Sequence, residues 1–256
     1  MTLNEKLRMV DGWADFYLRI MGLAEHMEIA DNGRYETMGP TGNTDSPSSV
    51  YNMRLDTLSD DELRKTIREI RGLNRHAWWP LAASDRVLQA IHGKIPAYTV
   101  DDGEIYSILM PKDMPCYPDA TGDVEIRRVT APDDFKLWCG FINTTVGTIF
   151  FDPKNHFHLV EEGKLNSFLG YVHGKAVGIS AILNNDGAAA LEYVFVSPGY
   201  RKKGIATSLC QHAVRYACEV GVKHIVGRGR QDGSRRLIEK LGFTIVTTGS
   251  SSVVVD

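Results

Sequence analysis

The sequence predicts a mixed α/β chain in two parts. A smaller α/β N-terminal domain precedes a larger mixed sheet flanked by helices. Three observations predict this. Residues 111–123, PKDMPCYPDATGD, hold three prolines and a glycine and read as a link between two halves. Helices dominate before that link, whereas strands and helices alternate after it. The stretch VFVSPGYRKKGIATSL, residues 194–209, joins a β-branched and aromatic run to a helix through a turn carrying Arg201, Lys202 and Lys203. The boundaries adopted are 1–112 for the N-terminal region, 113–123 for the linker and 124–256 for the second domain.

The first half opens with an expected helix over residues 3–28. Leu7, Val10, Trp13, Tyr17, Ile20 and Ala24 recur at three and four and form one apolar stripe. Residues 31–50 carry Gly33, Gly39, Pro40, Gly42 and Pro47 and read as a long loop. YNMRLD is a short candidate strand. SDDELRKTIREIRGL is a helix, capped by Ser59, with Asp60, Asp61 and Glu62 in its first turn and Arg68 and Arg71 near its end. AWWPLAASDRVLQAIHG ends in a helix stopped by Gly93, and EIYSILMP is a strand.

In the second half, VEIRRVT is a strand and PDDFKLWCGFIN a helix. Residues 167–196 read as a three-stranded meander, turning at Gly174-Lys175 and at Asn184 to Gly187. A helix follows from Ile205 to Val220, with Gly221 ending it. VKHIVGRG is a strand, and SRRLIEKLG a short helix capped by Ser234 and closed by Gly242. FTIVTT and SSVVVD are final strands, expected as a hairpin around Gly249. No internal repeat is visible in the sequence.

Composition narrows the function. A hydrophobic content of 43%, a charged content of 24% and a net charge of −3 are those of a soluble globular protein. They argue against a polybasic nucleic-acid or membrane binder. Cys116, Cys139, Cys210 and Cys218 form no CxxC pair, which leaves a zinc site without support. Reduced thiols in a cytosol are the simpler reading. Charges within the first twenty residues exclude a signal-peptide core, and no apolar run reaches the roughly 18 residues of a membrane span. The expected location is cytoplasmic.

Three cations at a helix start are unfavourable unless an anion sits there, because that end is already electropositive. Gly204 lacks a Cβ, and Ala206 is small, so a ligand can approach the backbone. The first amides of the helix lack helical acceptors and can bind phosphate oxygens, with Thr207 adding a hydroxyl. The segment is not G-x-x-x-x-G-K-[ST], which excludes a P-loop. GRGRQDG at 227–233 has a G-x-G-x-x-x-G spacing, one residue too long for a dinucleotide fingerprint, and too little chain follows it.

Arg201-Lys202-Lys203-Gly204-Ile205-Ala206 resembles the [RQ]-x-x-G-x-[GA] loop of the GNAT acyltransferase superfamily. VFVSPGYR resembles its preceding strand and turn, and RRLIEKLGF its late LYEKLGF element. These motifs cover about 55 residues in order, and the likeness extends more weakly from Val124 to the end. The resemblance implies a sheet whose neighbouring strands splay apart, with pantetheine in the split and the pyrophosphate on the loop. The anion is then the CoA diphosphate. It implies acetyl-CoA or another acyl-CoA as co-substrate and no metal. The cofactor-binding residues would be Val194, Phe195, Val196, Arg201, Lys202, Lys203, Gly204, Ile205, Ala206, Thr207 and Gln231.

Acyl transfer to an amine needs a base for the amine, a donor for the oxyanion and a proton for the thiolate. In similar enzymes the oxyanion donor comes from the strand before the loop, here Val194 to Val196. Glu192 is the candidate catalytic base; a structurally paired strand glutamate is the competing reading. The family's tyrosine, the usual proton donor to the thiolate, falls at Ile238, which cannot donate. Gln231 stands where an asparagine often meets the cofactor.

Smaller signals remain. His156 and His158 on alternate strand positions could hold a metal, but without a third ligand they mark a surface or substrate loop. Trp78-Trp79 could stack on a ligand or pack within the first half. Tyr193 and Phe195 are core or pantetheine wall, and Cys210 and Cys218 are apolar fillers. Residues 1–110 look like the reduced N-terminal half of some two-domain bacterial GNAT proteins, walling the acceptor cleft or serving a structural or dimerising role. The expected function is an acyl-CoA-dependent N-acetyltransferase acting directly on a small-molecule or peptide amine, with no nucleic-acid or membrane partner. A CoA-binding sensor without chemistry and an ATP-binding protein are the alternatives.

Overall fold

A computed structural model of the chain describes residues 1–22, 27–41, 49–73, 76–93, 103–117, 124–147, 150–185, 187–248 and 252–254. The expected linker at 113–123 is described only as far as Tyr117, and the turn at Gly249 lies outside the described residues. The chain divides into two compact units. One comprises Met1–Tyr106, Arg230–Asp232 and Ile245–Asp256, and the other Ser107–Gly229 and Gly233–Thr244. The described residues form two sheets.

The first unit begins with helix α1 (Leu3–Gly22). Its inward stripe, Leu7, Val10, Trp13 and Ile20, is almost fully buried. The expected helix to residue 28 is cut short: strand β1 (Met27–Asp31) starts where the stripe ends. β1 pairs antiparallel with β2 (Glu36–Pro40), and β2 with β3 (Ser49–Tyr51). The long loop expected over 31–50 therefore holds strands. Its glycine and asparagine serve a tight reversal, in which Asp31 Oδ1 accepts from the Gly33 amide and Asn32 Oδ1 from those of Arg34 and Tyr35. A short 3-10 turn at Leu55–Thr57 leads into helix α2 (Asp60–Gly72), which starts with the capping box of Ser59 and Glu62. Strand β4 (His76–Trp78) then lies parallel to β3, and helix α3 (Asp85–His92) ends at the left-handed Gly93. Leu63, Ile67 and Ile70 of α2 meet Val87 and Ile91 of α3 in the core.

Strand β5 (Glu104–Leu109) precedes β6 (Val124–Arg128). Helix α4 (Pro132–Val146) starts at a proline, which suits a first-turn position whose amide has no helical acceptor. Helix α5 (Pro153–Glu161) follows and was not expected. Asp152 caps it through the Lys154 amide at 2.8 Å, and Pro153 begins it. Strands β7 (Leu165–Val172), β8 (Lys175–Asn185) and β9 (Ala188–Val196) form the expected antiparallel meander. Helix α6 (Ile205–Glu219) crosses to β10 (His224–Arg230), which is parallel to β9. Helix α7 (Arg235–Lys240) occupies the place of the expected last helix, but the Ser234 side chain makes no cap hydrogen bond. The seven-stranded sheet runs β11-β5-β10-β9-β8-β7-β6, with β11 at Thr244–Thr248. β12 (Ser252–Val254) pairs with β4 in the other, five-stranded sheet, so β11 and β12 are not the expected hairpin.

Helix α6 packs closely on the meander because two glycines leave room. A Cβ on Gly170 would lie 3.3 Å from Leu209, and one on Gly178 only 2.9 Å from the Phe195 carbonyl and 3.0 Å from Leu209. Trp138 of α4 is fully buried and donates its indole N–H to the Ser180 carbonyl at 3.2 Å. Burying a large side chain of this kind contributes about 1.5–3 kcal/mol. It thereby ties α4 to the middle of the sheet, beside the strand that carries the site.

Both units follow one order of elements. In the first, a helix, two antiparallel pairings, a 3-10 turn, a crossover helix, a parallel strand and a helix run from α1 to α3. The same series runs from α5 to α7.

Candidate active site

The site starts from a failure of pairing. β9 and β10 pair in parallel from Ala188↔His224 to Leu191↔Gly227. Both strands continue, β9 to Val196 and β10 to Arg230, without further ladder partners between them. Peptide groups of the second half of β9 are therefore turned to a gap. On the other side of β9, Ile179 faces Phe195 and Ala181 faces Glu192, so the single residue Ser180 opposes both Tyr193 and Val194. This is a β-bulge, with Tyr193 at a φ of +54°. The strained backbone is held by the ring of Tyr193, which meets Trp138, Phe150 and Phe151 edge-on at 5.2–6.0 Å. Tyr193 is half-buried, with its ring packed among these aromatic side chains. Its position nonetheless lines the gap.

The gap is a cleft of about 130 Å³ lined by Leu191 to Val194, Cys210, Gly227, Arg228, Ser234, Leu237, Ile238, Leu241 and Phe243. Glu192 is 8% exposed and on this wall. Ile238 is buried there too, placing a hydrocarbon where a hydroxyl was sought. Gly229 has no room for a side chain: a Cβ would lie 2.6 Å from the Ser234 Cβ and 3.0 Å from Ile238 Cδ1. α7 is therefore seated directly against β10. Burial pushes the Cys210 thiol up to about 12, so it is a protonated apolar wall and not a nucleophile.

Beyond Val196 the chain turns through a 3-10 segment, Pro198–Tyr200, to the four exposed residues Arg201 to Gly204. Lys202 and Gly204 both take left-handed backbone, φ +61° and +80°. Arg201 Nε donates to the Val196 carbonyl at 2.9 Å, and Lys203 Nζ stands 5.4 Å from the centre of the Tyr200 ring. The cations are thus braced on the loop itself. The first helical hydrogen bond of α6 is Ser208 N–H to Gly204 carbonyl, at 3.0 Å. The amides of Ile205, Ala206 and Thr207 precede it and have no helical acceptor. No side chain caps them and no acid stands in the first turn. A Cβ on Gly204 would meet nothing within 4 Å, so the space before these amides is open. Such a terminus accepts an anion of diphosphate charge.

The residues expected at the site divide. Glu192 and Val194 line the cleft. Phe195, Val196 and Arg201 instead line a larger groove of about 670 Å³, together with Asp133, Lys136, Leu137, Gly140, Phe141, Thr144 and Thr145. Lys202, Lys203, Gly204, Ala206 and Thr207 stand on the loop and first turn. The Ile205 side chain is buried, so only its amide can serve. Gln231 is in the turn after β10, where its amide donates to the Gly103 carbonyl at 2.8 Å, and it is not among the residues lining the cleft. The α4 wall of the groove was missed. Its signal was a small and polar stripe at helical spacing, Asp133, Lys136, Gly140 and Thr144, opposite the buried Phe135, Trp138 and Ile142.

His156 and His158 are on helix α5, not on a strand. Residues two apart on a helix do not face each other. The buried His156 takes the Asp152 amide on Nδ1 at 3.1 Å and packs against Phe151. Among the described residues no group of three His, Cys, Asp or Glu could hold a metal ion, and no helix is long and apolar enough to cross a membrane.

The model of the acetyltransferase (GNAT) family matches residues 102–243. A GCN5-related N-acetyltransferase from Kribbella flavida is similar in fold, with a TM-score of 0.62 at 15% identity over 91% of each chain. Other solved structures match about half of this chain. A predicted acetyltransferase with acetyl-CoA from Clostridium acetobutylicum is 16% identical over 47% of this chain and 90% of its own, with a TM-score of 0.41. AAC(6')-Iy in complex with a bisubstrate analogue is 21% identical over 50% and 94%, with a TM-score of 0.41. No curated protein matches the chain.

Proposed function

The chain belongs to the GNAT acetyltransferase family, and from that premise we propose that it transfers an acetyl group from acetyl-CoA to an amine by direct attack. The observation that carries the reading is the parting of β9 from β10 after Leu191 and Gly227, next to a helix start with open amides and three cations. The transferase chemistry is carried by the second unit, Ser107–Gly229 and Gly233–Thr244. The diphosphate lies on the amides of Ile205, Ala206 and Thr207, with Arg201, Lys202 and Lys203 balancing its charge. The acyl-bearing arm runs back along Val196 and Val194 into the cleft.

Each step has a group at hand. The carboxylate of Glu192 takes a proton from the acceptor ammonium, directly or through water; the neutral amine then attacks, and the surplus proton on its nitrogen passes to solvent. A backbone amide of Val194 to Val196 supports the oxyanion as the thioester carbonyl becomes tetrahedral. The C–S bond then breaks and the thiolate leaves. Isoleucine at position 238 gives it no proton, so solvent provides one. A CoA thiol is acidic enough to depart in this way, at some loss of rate.

One observation favours a second reading, a CoA-binding protein with little chemistry: the buried Ile238 in the cleft wall. Calorimetry with acetyl-CoA and thiol release over a panel of amines test both. Binding with acceptor-dependent thiol release supports the transferase. Binding without release on any amine supports the second reading, and absence of CoA binding removes both.

A further inference from the structure

The first unit repeats the strand, crossover helix, parallel strand series that builds the site of the second, but with the charge reversed. β3 and β4 pair only at Ser49↔His76 and Val50↔Ala77 and then part. The loop that follows β3 again enters a crossover helix. In the second unit Gly204, preceded by three cations, is followed by the uncharged first turn Ile205, Ala206 and Thr207; here Ser59 is followed by the acidic first turn Asp60, Asp61 and Glu62. Its helix start is closed by its own side chains: Glu62 Oε2 accepts the Ser59 amide at 3.0 Å, and the Ser59 hydroxyl oxygen accepts the Glu62 amide. No diphosphate can displace that arrangement against three carboxylates.

At the parting of β3 and β4 there is nonetheless a cavity of about 270 Å³. Its walls include Asp11 and Asp15, one turn apart on α1, with Asp56, Trp78 and Trp79. Among the described residues lining it, the one cation, Arg8, is exposed and makes no ion pair with these acids. The nearby Arg19 and Arg54 are engaged by Glu36 and Asp31. Asp11 is held by the amides of Leu81 and Ala82, and Asp15 Oδ1 by the Asn52 amide at 2.8 Å. Asp15 Oδ2 accepts no hydrogen bond from the described residues. The acids do not form a metal-binding group. Carboxylates beside indole rings, in a space larger than a bare ion needs, suit an organic cation.

We propose that this cavity binds a small organic ammonium ion, with Asp15 as its counter-charge and Trp78 and Trp79 as its apolar walls. Choline and putrescine are the probes, added to the full chain and followed by calorimetry and tryptophan fluorescence. The uncharged choline isostere 3,3-dimethylbutanol is the control. At least one of the two cations is expected to bind at millimolar concentration or below, and the isostere not to. Asp15→Asn retains an acceptor for the Asn52 amide and should weaken the cation about tenfold or more while leaving CoA affinity unchanged. Trp78→Leu should weaken it independently. Failure of both cations to bind overturns the proposal. So does equal binding of the isostere, or unchanged affinity in both variants when circular dichroism shows them folded. Loss of CoA binding alone would instead count against the transferase reading.

Discussion

Replacing Gly204 with glutamate tests the anion cradle at its most exposed point. Gly204 holds a left-handed φ of +80°, and a Cβ there would project into open space. The fold therefore loses only backbone strain, about 1–2 kcal/mol, or a few degrees of melting temperature for a chain of this length. Ligand binding loses much more. A carboxylate about 6 Å from a diphosphate opposes it by roughly 1–3 kcal/mol at an intermediate effective dielectric constant. Displacing the phosphate from one or two of the amides of Ile205 to Thr207 costs about 1.5–3 kcal/mol each. Together these predict at least a hundredfold loss of acetyl-CoA affinity. Titration calorimetry of wild type and Gly204→Glu, with a thermal melt of each, measures both effects. A folded variant that binds within threefold of wild type would mean that the diphosphate sits elsewhere.

Glu192→Gln keeps the shape of the cleft wall and removes its charge. Turnover should drop by about a hundredfold or more with CoA affinity unchanged, and steady-state kinetics near neutral pH that match wild type would exclude Glu192 as the base. Gly229→Ala forces a methyl against Ser234 and Ile238, so a loss of about 1–3 kcal/mol in urea denaturation is expected, together with slower catalysis. If neither changes, α7 is free to move off β10. The acids of the first unit should set a pH dependence. Burial pushes Asp11 up to about 7 and Asp15 up to about 6, so the folded chain holds these protons more tightly than the unfolded one. The stability they contribute is complete below their ordinary value of 3.8 and is lost as pH rises through 6 and 7. Asp15→Asn should flatten that decline by on the order of 2 kcal/mol, and melting curves across this range that coincide for variant and wild type would refute it.

The loop at Arg201 to Gly204 was legible because everything it needs is local: a glycine, three cations and a helix start within a few residues. Glu192 was legible only as an acid on a strand. What turns it to the cleft is the bulge at Tyr193 and the end of pairing at Gly227, and both depend on partners distant in sequence. Helix α5 hid behind two histidines that suggested alternation, although Asp152 and Pro153 supplied a cap and a first-turn residue. Strand β1 hid at the end of the expected helix, and β2 and β3 in a glycine- and proline-rich stretch, because each is only a few residues long. The duplication of element order left no trace as sequence likeness. The two halves share an order of elements, while the starts of their crossover helices carry opposite charge.

The pairing of β12 with β4 also bears on synthesis. A nascent chain that has just emitted the first unit's helices exposes one flank of β4 until the whole second unit has left the ribosome. For that interval an unsatisfied row of peptide groups is available to any other extended segment. A variant that delays translation after residue 244 should therefore raise aggregation without altering a single contact of the finished molecule.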